Sequence, residues 1–406
     1  MRGRVHPVTG TRRRSLAAVL GTALVAGALV AGTVVAGPML ASAATGPDGA
    51  AAPRAAPVDV PEAAAEPTDT CLPRVGDLST RDRLAQRLMV GVDAADPAGA
   101  ATIVRDSKVG GVFLGGNATA LLTDGTMQAL QDASDTPLAV AVDEEGGRVQ
   151  RIDELDGDIP SARRMAAEST PEQVTAIATQ RAEQLRARGV TWNLAPSVDV
   201  SAQPANSVIG DRAFSDDPDT VTRYARAWAE GQEAGGVYGV LKHFPGHGNS
   251  SGDSHEGSVS TPPLAELQAS DLRPYADLIG PGAPLDGRVG VMLGHLEVPG
   301  LTENGNPTSI DAATYRLLRD QYGFDGVVMT DDLGAMKAIT DRFGLAEATT
   351  RALSAGADIA LSSNVTPVGP LLDAAEQALA DGRITPEAND AAVARVLESK
   401  GLCSRS

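Results

Sequence analysis

Three of the chain's five histidines and one lysine fall within fourteen residues, KHFPGHGNSSGDSH at 242–255; the other two are His6 and His295. Histidine gives and takes a proton near neutral pH with little tuning, so such a cluster suits proton transfer or metal ligation. For a metal, His243 and His247 stand four residues apart, the spacing of one helix face. Pro245, Gly246 and Gly248 forbid a regular helix there. A loop wrapped around an ion with Asp253 and His255 is the form left to the metal reading. Proton transfer needs an imidazole and a carboxylate that fixes its tautomer. Asp253-x-His255 supplies that pair, and in an extended segment both side chains point the same way. The preceding Asn249-Ser250-Ser251-Gly252 predicts a mobile loop that closes over a substrate. His247, between two glycines, reads as a brace for that loop.

These residues need elements to position them. Eight apolar, β-branched runs predict strands at 88–92, 109–114, 138–143, 190–194, 238–242, 290–293, 326–330 and 358–361. Helical patterns lie between most of them, such as 171–189, with Thr170 as N-cap, Pro171 at the first position and Gly189 at the end. Others run at 216–236, 309–323 and 385–401. Eight strand–helix repeats predict an α/β fold, a single (β/α)8 TIM-type barrel. Active sites in such barrels sit at the C-terminal strand ends. The polar residues gather there, in VDEEGGRVQR after strand three, APSVDV after strand four, the histidine stretch, GHLEVPG after strand six and TDDLGAM after strand seven. Asp331 and Asp332 have opposite strand parity, so one faces the barrel centre; Asp332 reads as a helix cap. Asp143 lies beside Gly146-Gly147, which permits close backbone approach. Asp199 reads equally as a helix cap, Glu144 and Glu145 as holding Arg148 or the loop, and His295 as either pocket-lining or satisfied in the core.

The first 43 residues have a basic head, an apolar run from about Leu16 to Leu40 and Ala41-Ser42-Ala43, the layout of a cleaved secretory signal. Arg12-Arg13-Arg14 resembles a twin-arginine export signal. The apolar run is also long enough for an uncleaved membrane anchor, the only membrane association expected. Residues 44–70 are Ala/Pro-rich without apolar periodicity and read as a disordered linker; residues 71–406 are the barrel. Residues 1–43 hold five Arg and no acid, which leaves 29 basic and 52 acidic groups. Such a surface repels nucleic acid and anionic lipid, so neither is expected as a partner. Cys71 and Cys403, the only cysteines, bracket the barrel. In an oxidising compartment they read as a disulfide that staples its ends, or as two free thiols.

KHFPGHG followed by Asp253-Ser254-His255 resembles the signature of the NagZ-type β-N-acetylglucosaminidases of glycoside hydrolase family 3. VDEEGGRVQR, SVIGDRAF and VVMTDDLGAM resemble that family's other blocks, in the same order, and the likeness runs from about Leu84 to Ala360. It implies one barrel and a retaining mechanism with no metal and no cofactor. By matching position, Asp331 is expected as nucleophile, His255 as acid/base and Asp253 as the group orienting it. Asp143, Arg151, Arg212, Lys242 and His243 are expected to bind the sugar. The resemblance also implies a carbohydrate partner, a muropeptide or short glycan carrying GlcNAc; the leader-like first 43 residues imply that it is met outside the cytoplasm, by a secreted or cell-wall-associated protein. Asn249 departs from the acidic residue many relatives carry, which leaves aglycone preference open.

The nearest alternative is a β-glucosidase or β-xylosidase of the same family. Those usually draw their acid/base from a second domain, for which the residues after the last expected helix leave no room. A non-catalytic, wall-binding barrel would be expected to carry a damaged Asp331 or Asp253–His255 pair, and both are intact. A metal-dependent hydrolase is the third alternative.

Overall fold

The computed structural model describes residues 69–405, apart from Asn117 and Asp124. The expected signal segment 1–43 and the linker as far as residue 68 lie outside the described residues. Ten strands are formed: β1 (Leu88–Gly91), β2 (Gly111–Phe113), β3 (Ala139–Val142), β4 (Trp192–Asn193), β5 (Tyr238–Phe244), β6 (Val259–Ser260), β7 (Gly290–Leu293), β8 (Leu296–Glu297), β9 (Val328–Thr330) and β10 (Ala360–Ser362). Eight of them make one parallel sheet in the order β10-β1-β2-β3-β4-β5-β7-β9. A parallel bridge between Met329 and Ile359 joins its two edges. With helices between successive strands, this is a (β/α)8 TIM-type barrel. β6 and β8 pair as a small separate parallel ribbon.

The period-two alternation sorts the core into two layers. Met89, Phe113, Ala139, Ala141, Trp192, Leu194, Val240, Met292, Val327, Met329, Ile359 and Leu361 pack together inside the barrel. Their neighbours Val90, Val112, Val140, Leu241, Val291 and Val328 pack outward under the helices. The same parity aims the residues that follow. Asp143 continues Ala139 and Ala141, Asp331 continues Val327 and Met329, and Lys242 continues Val240, so all three rise above the interior core at the barrel mouth.

The helices follow their sequence signals. Pro171–Ala187 starts on Thr170, whose side chain accepts from the Gln173 amide while Gln173 returns a bond to the Thr170 amide. Pro218–Ala234 is capped by Asp217 and Pro386–Ser399 by Thr385. The single helix expected at 309–323 is instead broken into a 3-10 turn, an α-helix at Ala312–Arg316 and a π-helical turn at Leu317–Gln321. The side chains at its start are engaged elsewhere: Thr308 donates to the Gly294 carbonyl, Ser309 bonds His295, and Asp311 caps Ala313. Cys71 and Cys403 are joined by a disulfide between the first and last helical regions.

Candidate active site

A cavity of about 520 Å³ opens at the C-terminal ends of the strands. That is within the usual range for a small-molecule site. Phe113, Leu194, Met292 and Leu361 form its apolar floor, the top layer of the interior core. Above them stand Asp143, Arg151, Arg212, Lys242, His243, His255, Asp331 and Asp332.

Lys242 and His243 are consecutive, yet both line the cavity. Leu241 pairs with Val291 and Phe244 with Leu293, so β5 carries one residue more than β7 across that interval. A bulge of this kind re-aims a side chain. Lys242 faces inward by ordinary parity, and the extra residue lets His243 do so before Phe244 returns to the outer layer.

The charged groups form a connected set. The Lys242 ammonium donates to Asp143 Oδ1 at 2.6 Å and to Glu145 Oε1 at 2.5 Å. Arg212 grips Glu145 with two parallel bonds of 2.8 Å, the strong bidentate form. Arg212 Nη2 also lies 3.4 Å from His243 Nε2, and His243 Nδ1 lies 2.7 Å from Asp199 Oδ2. Burial alone would protonate Glu145, but Arg212 and Lys242 hold its carboxyl far below the usual range. Lys242 is likewise desolvated, and Asp143 and Glu145 raise its pKa despite that. Asp331 Oδ1 accepts from the Asp332 amide at 2.9 Å. Burial pushes the Asp331 carboxyl up, but His243 and His295, the Asp332 amide and Lys242 bring it below its ordinary value.

His255 reaches the cavity from the loop between β5 and β6. Its Nδ1 is 2.8 Å from Asp253 Oδ1, and Asp253 Oδ1 also accepts the His255 amide at 2.9 Å. Nε2 is therefore the nitrogen left for a reacting atom. The loop is tied by Ser251 N to Ser260 O at 2.8 Å, Ser260 N to Ser251 Oγ at 2.9 Å, and Ala338 N to Ser254 O at 3.0 Å. At its base, Gly248 runs so close to Val200 that a Cβ there would sit 2.0 Å from the Val200 carbonyl. Across the mouth, Gly146 has φ +89° and would place a Cβ 2.3 Å from the Pro160 carbonyl, so the β3 loop needs glycine there.

A strand-borne carboxylate and a loop-borne imidazole over one polar cavity offer a nucleophile and a proton donor, the two roles a retaining glycosidase needs. The sequence matches the model described as the glycosyl hydrolase family 3 N terminal domain over residues 79–399. The chain belongs to glycoside hydrolase family 3. It is 48% identical over 352 residues to Beta-hexosaminidase LpqI of Mycobacterium tuberculosis, an alignment covering 85% of this chain and 87% of that protein. The solved structure of M. tuberculosis LpqI superposes with a TM-score of 0.77, covering 82% of this chain and 96% of that one. A family 3 β-N-acetylglucosaminidase from Paenibacillus sp. is 30% identical with a TM-score of 0.73, covering 80% of this chain and 62% of that one.

In this family 3 enzyme, all the residues expected to bind sugar line the cavity, as do Asp331 and His255. Asp253 stands behind His255. Arg151 adds a looser contact to Asp143, 3.7 Å from Nη2 to Oδ2. Three readings need correction. Asp332 does not cap a helix, since none begins before Lys337; its carboxylate accepts from Gly334 N at 2.8 Å and Ser363 N at 3.0 Å, tying the β9 turn to the end of β10. Glu145 holds neither Arg148 nor the loop but the cavity's Arg212 and Lys242; Arg148 pairs with Asp211. Its parity with Ala139, Ala141 and Asp143 was the available signal. Asp199 caps no helix and instead holds His243; nothing in the linear pattern marks that. Glu144 accepts the Arg151 and Ile152 amides, which does hold the loop.

His295 is core-satisfied: its Nε2 meets the Asp332 carbonyl and its Nδ1 meets Ser309 Oγ, and burial lowers its pKa. His247 lines the cavity while bonding Ser250. Burial and the neighbouring His243 push its pKa down to about 4, so it stays neutral at pH 7. Among the described residues, no group of three or more His, Cys, Asp or Glu side chains is placed to hold a metal ion.

Proposed function

We propose that this chain is an exported, retaining β-N-acetylhexosaminidase that releases terminal β-linked GlcNAc from peptidoglycan fragments or short glycans. The observation that carries the reading is one cavity lined by Asp331 from β9 and by His255, itself bonded to Asp253. Asp331 attacks the anomeric carbon as the glycosidic bond breaks, forming a glycosyl ester. The His255 imidazolium gives its Nε2 proton to the departing oxygen. Water then attacks the ester while Nε2 takes its proton, and Asp331 leaves as the carboxylate. Asp253 keeps the Nδ1 proton engaged throughout, so one nitrogen alone exchanges protons with substrate. Asp143, Lys242, Arg212, Arg151 and His243 hold the sugar's ring substituents.

GlcNAc preference and the wall-derived substrate rest on the likeness to the hexosaminidases named above. Export rests on the leader-like first 43 residues and fits the Cys71–Cys403 disulfide, since disulfides persist in oxidising compartments. The test is release of nitrophenol from the β-glycosides of GlcNAc and glucose, with wild type beside Asp331→Ala and His255→Ala. The expected result is preference for the GlcNAc compound and loss in both variants. Equal rates in all three proteins, or a preference for glucose, would refute the reading.

A further inference from the structure

We propose that Asp199 is a positioning residue that pins the ring proton of His243 on Nδ1, leaving Nε2 as a hydrogen-bond acceptor for a substrate hydroxyl. The inference deepens the proposed function and rests on its placing the sugar in the cavity at the barrel mouth.

Asp199 does not line the cavity; its side chain is wholly buried beneath it. An ionised carboxylate has about four lone-pair sites and no proton to offer. Here four donors converge on them. Oδ2 takes His243 Nδ1 at 2.7 Å and Ser197 Oγ at 2.9 Å, while Oδ1 takes the His247 amide at 2.7 Å and the His243 amide at 3.4 Å. Burial opposes ionisation, but His243, His247 and these hydrogen bonds hold the carboxyl far below its ordinary range. An acceptor-only group therefore faces Nδ1, and the proton belongs there.

The other face of the ring gives the same answer. Nε2 lies 3.4 Å from Arg212 Nη2, and a guanidinium only donates. A proton on Nε2 would oppose two N–H groups. Arg212 has little freedom to withdraw, because Glu145 holds it bidentately and Lys242 holds Glu145 in turn. Nε2 thus carries a lone pair beside the cavity.

The consequence is a rule for substrates. Lys242, Arg212 and Arg151 present donors to the sugar, and His243 presents an acceptor. A ring substituent facing His243 must donate, as a hydroxyl does. A methoxy group there is an acceptor meeting an acceptor and is rejected.

The tautomer can be read without turnover. The chain has only five histidines, so ¹⁵N-histidine labelling gives few ring signals, and His243→Gln identifies the pair that matters. The expected long-range ¹H–¹⁵N pattern in the wild type is Nδ1–H for His243. In Asp199→Asn, the new amide group must face either Nδ1 or the His247 amide, and the pattern is expected to shift towards Nε2–H. Kinetics supply the second readout, using nitrophenyl β-GlcNAc and its 3-, 4- and 6-deoxy analogues. One analogue should lose about tenfold in kcat/KM with the wild type, the cost of one hydrogen bond. Asp199→Asn should lose a similar factor on the parent and little more on that analogue. A merely structural Asp199 would lower kcat/KM on all four substrates alike.

Nε2–H on His243 in the wild type overturns the proposal. So does Asp199→Asn whose His243 carries Nε2–H and that still suffers the full deoxy penalty. Should Asp199→Asn not fold, the wild-type tautomer and the wild-type deoxy series decide, with Ser197→Ala expected to keep Nδ1–H because the carboxylate is still present. An active enzyme with Nε2–H refutes this inference and leaves the proposed activity standing. An enzyme inactive on every hexosaminide yet carrying Nδ1–H refutes the activity and the deoxy rule, not the position of the proton.

Discussion

Asp331 is buried, and no cation lies within ion-pair distance of it among the described residues. A carboxylate in that position would normally gain a proton. His243 and His295, the Asp332 amide and Lys242 reverse the outcome and hold its pKa below the ordinary value. The sign of the pH dependence follows. With Asp331 as the proposed nucleophile, its protonated form cannot attack, so activity is expected above its pKa and is lost as pH falls through it. The acid limb of kcat/KM is expected below the usual carboxylate value of about 3.9, and Asp331→Asn should cost about 10⁴-fold or more. A kcat/KM profile on folded protein checks both, and an acid limb above pH 5 that belongs to Asp331 contradicts the electrostatics. Asp331, Asp143 and Lys242 were legible in the sequence through the family's motif blocks, and the fold then shows strand parity aiming them at the cavity. Asp199 was not, because its partner His243 lies 44 residues away and is turned inward by a bulge that no sequence pattern announces.

The element that carries the proposed acid/base is a loop, and its hold on His255 is countable. Ser251 bonds Ser260 in both directions, through its own amide and its hydroxyl, and Ser254 accepts from Ala338. Removing the Ser251 hydroxyl leaves the Ser260 amide without its partner, a loss of roughly 0.5–1.5 kcal/mol. Ser251→Ala should therefore loosen the loop and slow the enzyme about three- to tenfold, with no matching loss of Tm because the barrel core is untouched. The slowing should be larger for a GlcNAc disaccharide, whose leaving oxygen needs the proton, than for nitrophenyl GlcNAc, whose leaving group needs it less. Equal slowing on both substrates would detach the loop from proton transfer. The Asn-Ser-Ser-Gly run identified this loop, and all eight barrel strands were legible as short β-branched runs. The break at 308–321 was missed because Ser309 and Thr308 serve His295 and Gly294, which only the folded chain brings near.

At the scale of the molecule, the first and last described helical regions are held together. β10 pairs with β1 over three residues, and β9 meets β10 through the Met329–Ile359 bridge and backbone bonds such as Thr330 N to Ile359 O at 3.1 Å. Helix Cys71–Gly76 and helix Pro386–Ser399 share a small core of Cys71, Val75, Val393, Ala394 and Leu397, Arg83 pairs with Asp390 at 3.1 Å, and Thr70 N bonds Ser404 O at 2.9 Å. The disulfide fastens the same place across 332 residues of sequence. A link closing so long a loop removes much of the unfolded chain's freedom, and native disulfides typically contribute about 2–4 kcal/mol. It lies far along the chain from the catalytic residues and touches none of them. Cys71→Ser/Cys403→Ser should therefore lower Tm by roughly 5 °C while kcat/KM at 25 °C stays at the wild-type value, and dithiothreitol should do the same to the wild type and nothing to the variant. An unchanged Tm on reduction would mean that the terminal helices and their ion pairs hold together without the disulfide.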